Sequence, residues 1–125
     1  MRIEEHRCKA ESIERSLTRC TYADYEIVIE GAMLAASHWF NILLHHARLT
    51  PEERDVIHAE FLTMGERRKV RLASAGALDA LDEIERLRTL HVRGDMPGGQ
   101  HASLRALEFL SQLRDEAISR TTRSA

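Results

Sequence analysis

One long apolar segment, from Tyr25 to Ala47, constrains the fold of this chain more than any other feature. On a helical wheel of 3.6 residues per turn its apolar and aromatic residues fall in one sector, which is the pattern of a helix that faces a core. The sector consists of Tyr25, Val28, Ile29, Ala32, Ala36, Trp39, Phe40, Leu43, His46 and Ala47. We therefore expect this segment to be the central helix of an all-α domain.

The opposite side of the same helix is also poor in charge, since it carries Ile27, Leu34, His38, Asn41 and His45. A polar but uncharged face suits a partly dry interface better than free solvent. We predict that a second copy of the chain covers it, in a homodimer with His38, Asn41 and His45 as binding or interface residues. Two alternatives are a cover supplied by the chain's own first helix and a ligand pocket lined by these three residues.

Apolar stripes with a helical period also predict a helix on either side of this segment. The first runs from about Arg2 to Arg19. The second begins at Thr50 as N-cap, with Pro51 at the first helical position and Glu53 completing a capping box. This helix is expected to bury its apolar side chains, which are Ile57, Phe61 and Met64.

Two further stripes follow, one over residues 73–92 and one over residues 100–119. The glycines and the proline of residues 94–99 mark a loop between them. The segment from Ala73 is either a separate helix or continuous with the one before it. We predict an all-α, up-and-down bundle of four to five helices, with one domain over residues 1–120 and a frayed tail over 121–125.

Charge and cysteine content exclude several classes of protein. The net charge of -2 and the pI near 6.4 give no overall attraction to nucleic acid or anionic lipid. Cys8 and Cys20 are too far apart for a CxxC motif, and the N-terminal segment has acids where a signal peptide needs an apolar region. The longest uncharged stretch, residues 31–46, is shorter than the roughly 20 residues of a membrane span. We therefore expect a cytoplasmic protein with no membrane partner.

Seven histidines suggest a metal site, but their spacing argues against one. Helices bind metals through side chains at i,i+3 or i,i+4, and the chain has no HxxH, HxxxH or ExxH motif. His38 and His45 share a face but stand about 10.5 Å apart along the helix axis, because each residue adds about 1.5 Å. The sequence thus predicts no metal site and no cofactor.

Basic residues concentrate in the later half of the chain, at Arg67, Arg68, Lys69, Arg71, Arg86, Arg88 and Arg93. One interpretation is a solvated helix face, whose charges pair with neighbouring glutamates. The other is a phosphate-binding surface.

The segment from Arg86 to His91 spells arginine, four residues and histidine on a late helix. In this motif, and in the alanine-rich, aromatic composition of ASHWFNILLHH in the central helix, the chain resembles the HEPN superfamily of helical bundles. The resemblance implies either a dimeric, metal-independent ribonuclease with a composite site at the dimer interface or a module that only binds nucleotides or scaffolds partners. It also implies that His91 acts as general acid/base on the ribose 2′-hydroxyl and that Arg86 stabilises the phosphate charge.

Three functions therefore remain open on the sequence. The first is a non-catalytic module that binds RNA, a nucleotide or a protein. The second is a toxin-like endoribonuclease that uses Arg86 and His91, and the third is a purely structural dimeric bundle.

Overall fold

The computed structural model describes residues 1–123, and for Tyr22 and Arg123 it describes the backbone alone. The chain forms four α-helices, α1 (Ile3–Leu17), α2 (Tyr25–His46), α3 (Met64–Arg88) and α4 (Gly99–Arg123). Two 3-10 turns (Tyr22–Asp24 and Ala59–Phe61) and a π-helical turn (Thr89–Arg93) lie in the connections. No strand occurs within residues 1–123, so the predicted all-α bundle is confirmed.

Helix α2 is the centre of the bundle and packs against α1, α3 and α4. Its predicted core sector is buried from Val28 to Phe40, with Ile29, Ala32, Ala36 and Phe40 fully inaccessible to solvent, whereas Ala47 at its end is exposed. By length and composition alone α2 is apolar enough to cross a membrane, but 67% of its most apolar window is buried inside the bundle. Core helices commonly have such a composition, because both of their sides pack against neighbours.

A glutamate on α1 joins three of the helices. The indole Nε1 of Trp39, on α2, donates a hydrogen bond to Glu14 Oε2 at 2.8 Å. Arg114 Nη1, on α4, donates to Glu14 Oε1 at 2.8 Å. The carboxylate thus satisfies the one polar atom of a buried tryptophan and fixes the faces that α1 and α4 present to α2.

The predicted helix from Thr50 is wrong. Thr50 is buried, and its hydroxyl bonds to His45 Nδ1 at 3.0 Å rather than capping a helix. The capping box belongs instead to Thr63 and Glu66, with Glu66 N donating to Thr63 Oγ1 at 3.1 Å. The three residues that this helix was expected to bury are therefore exposed, by 59% for Ile57, 60% for Phe61 and 78% for Met64.

The later helices are longer than the sequence indicates. Residues 73–88 continue the helix that begins at Met64, with a break at Ser74, where φ is -162° and ψ is 86°. Ser74 Oγ donates to Glu116 Oε1 on α4 at 3.1 Å, which ties the break to the neighbouring helix. α4 extends to Arg123 rather than ending at Ser119, so the predicted frayed tail is helical over residues 121–123. Residues 124–125 lie outside the described part.

Glu66 provides a test of how α3 begins. Hydrogen bonds from Arg54, and then from the backbone of Thr63, lower the pKa of Glu66 to about 2. Its stabilising effect should be complete above pH 4.5 and should disappear as the pH falls towards 2, because the folded state holds the proton less tightly than the unfolded state. We expect Glu66→Gln to lower the free energy of unfolding by about 1 kcal/mol near neutral pH.

Urea denaturation of both proteins at about pH 7 and about pH 2.5 measures this difference. Glu83→Gln is the matched control, since it removes an exposed i,i+3 pair with Arg86 and should change stability by less than about 0.5 kcal/mol. A loss in Glu66→Gln that stays the same at low pH would contradict the ion-pair explanation.

Candidate metal centre

Two histidines and an aspartate from three separate segments of the chain converge at one site. His6 lies on α1, His45 in the last turn of α2, and Asp55 in the connection to α3. Asp55 Oδ1 is 2.9 Å from His6 Nε2 and 3.0 Å from His45 Nε2. One ligand atom from each of the three residues lies within 4.8 Å of the other two, which is close enough to bind one metal ion.

The other ring nitrogens of both histidines also have partners. His45 Nδ1 is 3.1 Å from the carbonyl oxygen of Thr50, and His6 Nδ1 is 2.9 Å from Nδ1 of His38. If each Nδ1–H donates to these acceptors, the Nε2 lone pairs of both rings point towards Asp55. Metal-ligating histidines are held in this way, because the second ring nitrogen fixes the tautomer and the orientation of the ring.

A reversal of the chain after α2 places Thr50 against His45. Arg48, the first residue past the helix cap, has a φ of 59° and lies in the left-handed region. Leu49 N then donates back to the carbonyl oxygen of Leu44 at 2.9 Å, which closes the helix end. Glycine is the usual residue at this position because a side chain costs about 1–2 kcal/mol there. Arg48 therefore has a strained backbone conformation at the position where the chain turns back towards the site.

Asn41 holds the connection that carries Asp55. Its Nδ2 donates to the carbonyl oxygen of Val56 at 2.8 Å, and Val56 N donates to Asn41 Oδ1 at 2.8 Å. This reciprocal pair is buried and fixes the backbone one residue after the carboxylate. Asn41 was predicted as a binding or interface residue, and in the structure its amide is bonded to the chain's own loop.

Burial and hydrogen bonding set the charges of the site. Burial lowers the pKa of both His6 and His38, so both rings are neutral near pH 7. In the metal-free tautomer, where Nε2 carries the proton, burial raises the pKa of Asp55, but hydrogen bonds from Nε2–H of His45 and His6 outweigh it and lower that pKa below its ordinary value. The α-ammonium nitrogen of Met1, 3.3 Å from Asp55 Oδ1, also favours the ionised carboxylate. An ionised carboxylate beside neutral imidazole is the protonation state that a metal ligand set requires.

The charge-poor face of α2 is divided between two environments. Its polar residues pack under α1 and the connection after α2, through the contacts of His38, Asn41 and His45 described above. Its apolar residues Ile27 and Leu34 are 64% and 51% exposed. The homodimer therefore stays a prediction, and it now rests on the apolar part of the face.

Arg86 and His91 occupy different surroundings. The exposed Arg86 donates from Nη2 to Glu83 Oε2 at 2.9 Å. His91 is buried in the π-helical turn, with Nδ1 3.0 Å from the carbonyl oxygen of Met96. Within residues 1–123 the two side chains share no hydrogen-bond partner, so the composite site of the HEPN resemblance stays a prediction.

His6 and Asp55 were missed because helical spacing finds only ligands that lie on one helix. His6 is 49 residues from Asp55 along the chain, and His45 is 10 residues from it. One signal was available, because His6 falls on the same stripe of α1 as Ala10, Ile13 and Leu17. A histidine on a buried stripe that faces the polar side of α2 needs partners from that side.

Comparison with known proteins gives no guide to this site. No family, no curated protein and no solved structure matches the chain. Its function is therefore argued from the chemistry of its own side chains.

Proposed function

We propose that this protein binds a divalent transition-metal ion through His6, His45 and Asp55. The observation that carries the proposal is the convergence of two buried imidazole nitrogens on one carboxylate oxygen, from three segments of the chain. Two histidines and a carboxylate form the ligand set of non-haem iron(II) sites and of several zinc enzymes. Magnesium and calcium prefer sites made of oxygen ligands, so they suit this one poorly.

The number of protein ligands indicates how the ion would act. Structural zinc sites have four protein ligands, whereas catalytic sites have three and bind water at a further position. Asp55 is 32% exposed and opens the site to solvent on one side. We therefore propose a reactive centre: His6, His45 and Asp55 would hold the ion and leave a position open, and the ion would supply a bound water with a lowered pKa as nucleophile.

His38 is a positioning residue in this proposal. Its Nδ1 accepts the Nδ1–H of His6, which leaves Nε2 of His6 to bind the ion. The competing arrangement is a structural network without metal, in which both histidines donate from Nε2 to Asp55. The two arrangements place the ring protons on opposite nitrogens and can be separated by experiment.

Cobalt(II) titration of the chelator-treated protein tests the proposal. We expect saturation at one ion per chain, with visible absorption typical of nitrogen and oxygen ligands, and displacement of cobalt by zinc. Magnesium should neither bind nor displace cobalt. His101→Ala, which removes an exposed histidine of α4, is the matched control and should bind like wild type. Absence of saturable cobalt and zinc binding would overturn the proposal in favour of the metal-free network.

A further inference from the structure

A second polar site, which we call the arginine cleft, lies between the 3-10 turn Ala59–Phe61 and the C-terminal end of α3. It has a volume of about 310 Å³, at the lower end of the range for small-molecule sites, which is about 300–1,000 Å³. Four guanidinium groups and one imidazole line it, from Arg67, Arg86, Arg88, Arg93 and His58. None of these residues belongs to the proposed metal centre.

The π-helical turn brings two of these arginines to one side. In an α-helix, residues five apart diverge by about 140°, so Arg88 and Arg93 would face different ways. Over Thr89–Arg93 the helix widens, and Gly94 N bonds to the carbonyl oxygen of Thr89, five residues earlier, at 3.1 Å. Both arginines consequently line the cleft. π-helical turns are rare and occur frequently at functional sites.

The arginines retain donors that no protein group uses. Arg93 has no hydrogen bond or ion pair to any other residue in the described range 1–123. Arg88 donates from Nε to Glu30 Oε1 at 2.7 Å, and within the same range neither of its Nη atoms has a partner. Arg86 donates to Glu83 from Nε and Nη2, in an exposed pair of the kind that adds little to stability. A ligand can therefore bind these groups without breaking a strong contact.

Three carboxylates also face the cleft, those of Glu60, Asp82 and Glu85. Asp82 accepts from Arg67 Nη2 at 2.9 Å, and Glu85 bonds to His58 Nδ1. These two carboxylates are thus already paired, while Glu60 is exposed at the edge. A single compact anion fits such surroundings better than an extended polyanion, whose further charges would approach these carboxylates.

We propose that the arginine cleft binds the phosphate group of a small phosphomonoester. Planar guanidinium groups match phosphate oxygens in geometry, so Arg88 and Arg93 supply the main contacts, and Arg86 adds a third. This site is separate from the metal centre and does not depend on it.

Calorimetric titration of the chelator-treated protein with ribose 5-phosphate, inorganic phosphate and ribose tests the inference. Both phosphates should bind saturably and ribose should not. Arg93→Ala should weaken ribose 5-phosphate binding at least about tenfold, because a charge-assisted hydrogen bond is lost. The Arg93 side chain is exposed and makes no hydrogen bond or ion pair within residues 1–123, so the variant should fold normally. Arg71→Ala, which removes an exposed arginine paired with Asp79 outside the cleft, should bind like wild type.

Three outcomes would overturn the inference. One is no saturable binding of ribose 5-phosphate at low salt. Another is an equal loss in Arg93→Ala and Arg71→Ala, which indicates general charge attraction only. The third is binding of a short single-stranded RNA without binding of ribose 5-phosphate, which indicates a nucleic-acid surface instead.

Discussion

Removal of any one of the three proposed ligands should abolish the stabilisation that a metal ion gives to this protein. An ion at a hundredfold excess over its Kd adds about 2.7 kcal/mol to the free energy of unfolding. For a chain of 125 residues this raises Tm by about 10 °C. We expect that rise when zinc is added to wild type, and little or none in His45→Ala or Asp55→Asn. Thermal unfolding with and without zinc measures it.

Two further variants make this result specific. His101→Ala retains the ligand set and should retain the full rise in Tm, which excludes general binding of zinc to surface histidines. His38→Ala retains the three ligands but loses the partner of His6 Nδ1, so zinc affinity should fall by about 10–100-fold without being lost. If Asp55→Asn gains the same stability from zinc as wild type, the proposed ligand set is wrong.

We expect Trp39→Ala to lower the free energy of unfolding by about 3–5 kcal/mol. This should be the largest loss from any single truncation in the bundle. The side chain is 1% exposed, so its removal leaves a large cavity beside α1 and α4. It also removes the donor that bonds to Glu14 Oε2. Urea denaturation followed by circular dichroism measures the loss and does not depend on the fluorescence of this single tryptophan.

Two variants separate the packing of Trp39 from its hydrogen bond. Trp39→Phe loses the indole donor but fills much of the volume, so it should fold and be destabilised less than Trp39→Ala. Glu14→Gln retains an acceptor for the indole and weakens only the pair with Arg114, which should cost about 1 kcal/mol or less. A loss below about 1 kcal/mol in Trp39→Ala would contradict the central packing role of this residue.

The sequence predicted most of the fold because the apolar period of each helix is a local property that the bundle preserves. The stripe of α2, from Val28 to Phe40, is buried as expected. The exception is the start of α3, because the cap residues Thr50 and Glu53 satisfy a local rule that a tertiary contact overrides. The Thr50 hydroxyl bonds to His45, which leaves Thr63 as the N-cap.

The candidate site was predicted only in part, for the same physical reason. The absence of charge on one side of α2 indicated His38, Asn41 and His45 as interface residues, and of these only His45 belongs to the proposed ligand set. Their partners could not be read from the sequence, because the contacts of His6 and Asp55 arise only when α1 and the connection after α2 fold against that face. Helical spacing describes neighbours on one helix and contains no information about ligands from another segment.

The long separation between His6 and Asp55 also bears on the order of folding. Closing a loop of 49 residues costs chain entropy. The contact between His6 and Asp55 does not offset this cost until the helices that the loop contains have packed. The bundle has its own apolar core around α2, so it can form before the ligands meet. An ion that binds only after the bundle has folded would leave the folding rate nearly unchanged. It would slow unfolding, because its contacts are absent from the transition state.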